Sequence, residues 1–232
     1  MCHSRENGNL FFLFLDSCFR RNDIFMLLCE PVAHECFIII MKKLVCIFGS
    51  PRNDGNSDIL LNNAIKGAET SGVYVEKVII RDLKIAPCNS CGGCREKGVC
   101  VIDDDMQRIY SKLVDADGII VASPIYFMGV SAQLKAFIDR CQAFWARKYI
   151  LNLPIREGGR IANGFFIATA ARNAGEGLFT GAVKTIKAFF HVLDTKYEGE
   201  ILCSGLEEKG AVDNRQELLQ QAYKAGKQLI KA

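Results

Sequence analysis

The chain has 232 residues, 50% of them apolar and 24% charged, enough for one packed core and within the usual size of a single domain. Its net charge is +3, no Lys/Arg run is long enough to follow a nucleic-acid backbone, and no apolar stretch approaches a membrane span, so neither nucleic acid nor membrane is an expected partner. Eleven cysteines, unevenly spread and without an export signal, point to metal or redox chemistry in a reducing, cytoplasmic compartment rather than to a disulfide scaffold.

The first forty residues hold four of the cysteines and six of the fifteen phenylalanines, yet no apolar repeat of helical or strand period persists through them. The apolar run at 10–15 is flanked by Arg5, Glu6, Asp16 and Arg20, and no small-residue cleavage site follows it. The character changes at Met41, where two lysines lead into Leu44, Val45, Cys46, Ile47 and Phe48. Met41 therefore reads as the natural start, and residues 1–40 as a non-native or disordered extension from upstream sequence; an added helix or membrane-surface patch is the alternative.

From Met41 onward, β-rich runs alternate with amphipathic helices, the pattern of a parallel sheet covered on both faces. Strands are predicted near 43–48, 73–80, 118–122, 161–169 and 195–203. Met106, Ile109, Tyr110, Leu113 and Val114 make one helical stripe and Leu60, Leu61, Ala64, Ile65 and Ala68 another. Further helices are expected near 131–145, 177–193 and 213–231. Right-handed crossovers between five parallel strands leave few topologies, and the doubly wound, flavodoxin-like order 2-1-3-4-5 is a common one, with its ligand crevice where strands 1 and 3 diverge.

The loop after the first of these strands reads Gly49-Ser50-Pro51-Arg52-Asn53-Asp54-Gly55-Asn56-Ser57 and leads into a helix. Small residues allow close backbone approach, hydroxyls and the Asn56 amide are hydrogen-bond donors, Arg52 adds charge and the helix N-terminus adds free N–H groups, together a phosphate site. Neither G-x-x-x-x-G-K-[ST] nor G-x-G-x-x-G is present, which disfavours ATP and a Rossmann-type NAD site. A plain strand-to-helix turn capped by Ser57 is the competing reading. After the third strand, Ser123-Pro124-Ile125-Tyr126-Phe127-Met128-Gly129 offers aromatic and sulfur side chains to border a flat ring, with Pro124 stiffening and Gly129 releasing the backbone; otherwise Tyr126 and Phe127 simply cover the core. Thr169-Ala170-Ala171-Arg172-Asn173-Ala174-Gly175-Glu176-Gly177 supplies a third loop at the same edge, with Arg172 either near a cofactor or on the surface.

Gly-Ser-Pro-Arg…Gly-Asn-Ser at 49–57 and Ser-Pro-Ile-Tyr-Phe at 123–127 resemble the NADPH-dependent FMN reductase group of flavodoxin-like proteins. The resemblance covers residues 41–232. It implies that the first loop, through Ser50, Arg52, Asn56 and Ser57, wraps the FMN phosphate. It also implies that Ser123, Pro124, Ile125, Tyr126, Phe127 and Gly129, with Thr169 and Arg172, contact the isoalloxazine ring, and that the protein works as a homodimer or homotetramer.

The connection after the second strand holds Cys88, Cys91, Cys94 and Cys100, at spacings of two, two and five residues. Four thiolates this close suit a cubane cluster, with Gly92, Gly93 and Gly98 allowing tight turns. Structural zinc usually takes two separated C-x2-C knuckles, and a redox disulfide needs only two of the four; unclustered thiols are the main rival. The segment resembles the compact cysteine motif of the iron-sulfur flavoproteins, which implies a [4Fe–4S] cluster beside FMN and no catalytic acid or base. The expected function is an FMN-dependent oxidoreductase or electron carrier, with NAD(P)H as a donor and a ferredoxin-like protein or small molecule as partner. The alternatives are a cluster-free NAD(P)H-dependent FMN or quinone reductase and a non-catalytic, zinc-stabilised binding module. Because the cysteine segment follows the strand on the far side of strand 1, it is expected nearer the phosphate end than the ring within one chain.

Asp103, Asp104 and Asp105 are explained by the start of a helix and its dipole. His191 in a helical stretch is packed or solvent-facing, and Trp145, Cys46, Cys141 and Cys203 are core or interface residues.

Overall fold

The computed structural model describes residues 41–173 and 175–230, together with the backbone of two strands before them, β1 (Phe25–Cys29) and β2 (Cys36–Ile40). These two pair antiparallel in a separate ribbon, Phe25 opposite Ile40 and Cys29 opposite Cys36, where the sequence predicts no strand.

The main sheet has five parallel strands, β3 (Lys43–Phe48), β4 (Tyr74–Ile79), β5 (Gly118–Pro124), β6 (Ala162–Thr169) and β7 (Thr195–Cys203). Its order, β4-β3-β5-β6-β7, is the 2-1-3-4-5 arrangement expected from the alternation of strands and helices. The unbroken apolar run of β3 serves two cores. Val45 and Ile47 point to one face, where they meet Leu113, Phe137 and Phe190, and Leu44, Cys46 and Phe48 point to the other, against Leu60, Leu61 and Ala222. The first face is covered by α3 (Gln107–Asp115), α4 (Ala132–Arg140) and α6 (Thr180–Val192), the second by α1 (Asn56–Glu69) and α7 (Gln216–Leu229).

Several helix bounds differ from those predicted. The single helix expected over 131–145 is two: α4 ends at Arg140, Cys141 turns the chain with ψ near 3°, and α5 (Gln142–Tyr149) continues beyond the predicted end. The break follows Arg140, whose side chain is drawn away from solvent into the cysteine segment. α6 and α7 start later than predicted because 3₁₀ turns, Glu176–Leu178 and Ala211–Asn214, precede them. α1 begins at Asn56, with Gly55 rather than Ser57 at its cap and no side-chain cap bond. A one-turn helix, α2 (Cys94–Lys97), stands inside the segment read as loop.

Two glycines let α1 and α7 cross in backbone contact. A Cβ built on Gly226 runs into the Ala64 carbonyl, and one built on Gly67 runs into the Tyr223 carbonyl. Gly226→Ala is therefore expected to push the helices apart and lower stability by about 1–3 kcal/mol, as overpacking does. A urea midpoint equal to that of the parent would show that the crossing yields without cost.

Arg156 is 1% exposed and holds the opposite end of the sheet. Its guanidinium donates to the carbonyls of Leu113, Val114, Ala116 and Leu193, at 2.9, 2.5, 2.6 and 3.0 Å. Burial pulls its pKa down to about 10.

Candidate functional site: a laced crevice and a cysteine cavity

The carboxyl ends of β3, β5, β6 and β7 release four loops that backbone and side-chain bonds lace together. Gly49 N–H donates to Ala122 C=O at 2.8 Å, and a Cβ on Gly49 would stand 2.8 Å from that oxygen, so only glycine permits the approach. Ser131 caps α4 by accepting from Leu134 N–H while its hydroxyl donates to Gly49 C=O at 2.5 Å. The Ser123 hydroxyl accepts from Ser131 N–H and donates to Pro124 C=O. Ile125 N–H donates to Thr169 C=O, and Leu206 N–H to Ala170 C=O.

Between these loops lies a cavity of about 270 Å³. Ser50, Arg52, Asn56 and Ser57 line one side of it, and Pro124, Ile125, Tyr126 and Thr169 another, so eight of the twelve residues singled out for FMN converge. Ser123, Phe127, Gly129 and Arg172 do not line it; Ser123 is fully buried behind it and Arg172 is exposed. The Asn56 amide, read as a free donor, is engaged. It donates to the carbonyls of Leu206 and Glu208 at 3.2 and 2.8 Å and accepts from Val212 N–H at 3.1 Å, binding the loop after β7 to the loop after β3. The Ser50 hydroxyl likewise closes a turn on Arg52, accepting from its N–H and donating to its C=O.

The fourth loop brings Leu206, Glu207 and Lys209 to the same cavity, residues that the sequence did not single out. The signal was available: in a parallel sheet every loop after a strand emerges at the same edge. Beneath the first loop, Asp58 in the first turn of α1 is buried and paired with Arg81 at 2.9 Å, and Arg81 lies 3.4 Å from Ser50 C=O. Burial holds the Asp58 carboxyl at about 6 in spite of that arginine.

The 123–129 loop ends in a tight turn, Tyr126 and Gly129 exchanging two backbone bonds of 3.0 and 2.9 Å. The left-handed residues of this turn are Phe127 (φ 49°) and Met128 (φ 63°), not Gly129. Two bulky residues in that region carry backbone strain. Phe127 stands fully exposed, and the turn is held by Ala182 N–H at the start of α6, which donates to Met128 C=O at 3.1 Å.

Cys88, Cys91, Cys94 and Cys100 are free thiols and all four line a second cavity of about 330 Å³, walled by Arg140, Gln142 and Trp145. Ser90, Gly92 and Gly98 make its left-handed turns, whereas Gly93 is right-handed, and a Cβ there would press on the exposed Val101 side chain at 2.8 Å. Among the described residues no three His, Cys, Asp or Glu side chains stand in a metal-holding group. The donor set and its setting nevertheless suit a thiolate-bound group. The thiols are undivided by disulfides and open on one cavity, and Cys100 is held below the usual thiol range, against its burial, by Ile102 N–H, Tyr110 and Arg140. Burial and the neighbouring thiols push Cys94 up. No residue of the 49–57 loop lines this cavity; α4 and α5 wall it instead, and no described residue lines both cavities.

Asp104 does more than start a helix: it accepts from Met106 N–H and forms a two-point ion pair with Arg140. His191 is exposed and stacks on Tyr149, while burial pushes the Cys46 and Cys141 thiols far up, as inert core groups.

Residues 42–193 match the family model for NADPH-dependent FMN reductase. The chain belongs to that family. It is 39% identical over 134 residues to an iron-sulfur flavoprotein of Methanocaldococcus jannaschii, covering 58% of this chain and 65% of that one. An iron-sulfur flavoprotein of Methanosarcina thermophila is 35% identical over 150 residues, 65% of this chain and 73% of the relative. The match thus spans just under two thirds of the first relative's length. Among solved structures, the NAD(P)H:quinone oxidoreductase of Methanothermobacter marburgensis superposes with a TM-score of 0.66 at 16% identity, over 82% of this chain and 96% of that one. An FMN-dependent NADH-azoreductase of Bacillus anthracis, solved with FMN, superposes at 0.61 and 15% identity, over 82% and 99%. At these identities the likeness is one of fold. No described helix is long and apolar enough to cross a membrane.

Proposed function

We propose that this FMN reductase family member is an oxidoreductase of the iron-sulfur flavoprotein type, holding FMN in the laced crevice and a [4Fe–4S] cluster on Cys88, Cys91, Cys94 and Cys100. The carrying observation is that four closely spaced free thiols open on one cavity of a fold whose crevice gathers eight of the expected FMN residues. When bound, FMN supplies two-electron or hydride chemistry that can be released singly, and a cluster supplies one-electron exchange. The chain's own part is placement. The Ser50–Arg52 turn and the N-terminus of α1 receive a phosphate, Tyr126 and Ile125 border the ring, and Thr169 closes the far side. NAD(P)H is the proposed donor and a ferredoxin-like protein or small molecule the acceptor, in the cytoplasm. Because the two cavities share no described lining residue, the reading includes a homodimer or homotetramer. Residues 41–232 are the FMN-binding unit in this reading, and 1–40 an extension to it.

The second reading, a cluster-free NAD(P)H-dependent FMN or quinone reductase, is favoured by the thiols' lack of a metal-holding arrangement. Iron, sulfide, zinc and FMN content of anaerobically purified protein separates the two, and zinc alone would support a stabilised binding module. Stoichiometric iron, sulfide and FMN is the expected result; FMN without iron or sulfide selects the second reading.

The crevice has its own test. Ser50→Ala with Asn56→Ala removes the side-chain bonds that shape the phosphate turn and moor the 206–212 loop. At about 1 kcal/mol per bond, FMN affinity is expected to fall roughly tenfold or more, read by quenching of flavin fluorescence. Unchanged affinity would place the flavin elsewhere.

A further inference from the structure

The loop after β7 is a short strap fixed at both ends. Leu206 and Val212 are buried, Leu206 N–H donates to Ala170 C=O at 3.0 Å, and Val212 N–H donates to the Asn56 Oδ1 at 3.1 Å. Gly205 (φ 73°) and Gly210 (φ 81°) take left-handed conformations on either side of this strap, and between them Glu207, Glu208 and Lys209 are exposed. The Asn56 amide donates to Glu208 C=O at 2.8 Å, and Asn56 is the first residue of α1. Lys209 therefore stands one residue from a carbonyl bonded to the very helix start that receives a phosphate in the reading above.

Three charged residues line this cavity, Arg52, Glu207 and Lys209. Among the described residues none of the three is in an ion pair. Arg81, under the same loop, is committed to Asp58 at 2.9 Å. A phosphate monoester carries a charge of about −1.5 to −2 at neutral pH. The start of a helix offsets only about half a unit of it, so the balance falls to side-chain cations. Arg52 comes from the loop after β3 and Lys209 from the loop after β7, and Asn56 ties the two loops together.

We infer that Lys209 is a binding residue for the flavin phosphate, acting with Arg52, and that it makes the crevice select FMN over riboflavin. The inference rests on the FMN reading above. Glu207 takes another part: an ionised carboxylate only accepts hydrogen bonds, which suits the hydroxyls of a ribityl chain and not a phosphate. The strap is held by backbone bonds and by the buried Leu206 and Val212, so the Lys209 side chain can be changed without moving the wall that carries it.

The test uses the full chain freed of flavin, as parent, Lys209→Gln and Lys209→Arg, with affinities for FMN and for riboflavin read by flavin fluorescence at low and at raised salt. The parent is expected to bind FMN more tightly than riboflavin. Lys209→Gln is expected to lose roughly five- to twentyfold in FMN affinity, as removal of one charge-assisted bond does, with riboflavin affinity unchanged. Salt should weaken FMN binding less in this variant than in the parent. Lys209→Arg keeps the charge and should restore the preference for FMN. A merely structural role for Lys209 would lower the affinity for both flavins equally, and that result overturns the inference, as does a glutamine variant with parental affinity for FMN. A parent that binds both flavins equally well also overturns it. A parent that binds neither flavin overturns the crevice reading, and this inference with it.

Discussion

Replacing Cys91 and Cys94 together by Ala is expected to abolish iron and sulfide binding and leave FMN bound. A cubane presents four irons to four thiolates, and with two of the four gone the remaining pair, Cys88 and Cys100, cannot retain it. The rest of the molecule has little stake in these side chains. Cys91 is exposed and Cys94 half-buried, neither belongs to the two cores, and Cys94 makes only a weak contact of 3.9 Å to Gln142 C=O. Surface changes of this kind usually alter stability by about 0.5 kcal/mol or less, so the thermal midpoint should stay close to that of the apo parent. The crevice proposed for FMN contains neither residue, and FMN content should match the parent's. Stoichiometric iron and sulfide in the double variant would remove these cysteines from the ligand set.

Arg156→Met is expected to cost about 3–5 kcal/mol of stability. Four carbonyls converge on this guanidinium, three from the end of α3 and the residues after it and one from Leu193 at the end of α6, where the helix C-termini favour a cation. Met fills similar volume but offers no donor. Each carbonyl left buried without a partner costs about 1–3 kcal/mol, and relaxation toward water together with relief of the buried charge offsets part of the sum. Arg156→Lys should recover only part of the loss, since one ammonium with three donors replaces a fork that spans both helix ends. Urea unfolding of the FMN-free protein measures both variants. FMN affinity of the folded fraction is expected to remain parental, because Arg156 acts at the end of the sheet opposite the crevice. A midpoint within about 0.5 kcal/mol of the parent would mean that water reaches these carbonyls readily.

The strands were legible because their periodicity and burial agree. In β3 every residue from Leu44 to Phe48 serves one core or the other, and such a run has no competing interpretation once helical stripes flank it. The same alternation implied the order of the sheet. Helix bounds were less legible where a distant partner decides them. The split between α4 and α5 coincides with a buried arginine whose acceptors, Ala86, Ile102 and Asp104, lie 36 or more residues away in the chain. The left-handed turn fell on Phe127 and Met128 rather than on the nearby glycine because the turn is moored to α6 from outside, and local preference was overridden.

The sequence by itself determined the parallel αβ alternation, the sheet edge at which the loops gather, and the close spacing of the four cysteines. Each depends on neighbours within a few residues or on apolar periodicity. Only the tertiary structure decided which groups inside those loops are free. Asn56 spends its amide on Leu206, Glu208 and Val212, and Lys209 comes to the crevice from the loop after the last strand. Arg140 and Tyr110, on two different helices, meet where the Tyr110 hydroxyl donates to Arg140 C=O. Hydrogen bonds and charge act through a few ångströms of space, and the sequence separations they bridge here leave no local pattern from which to read them.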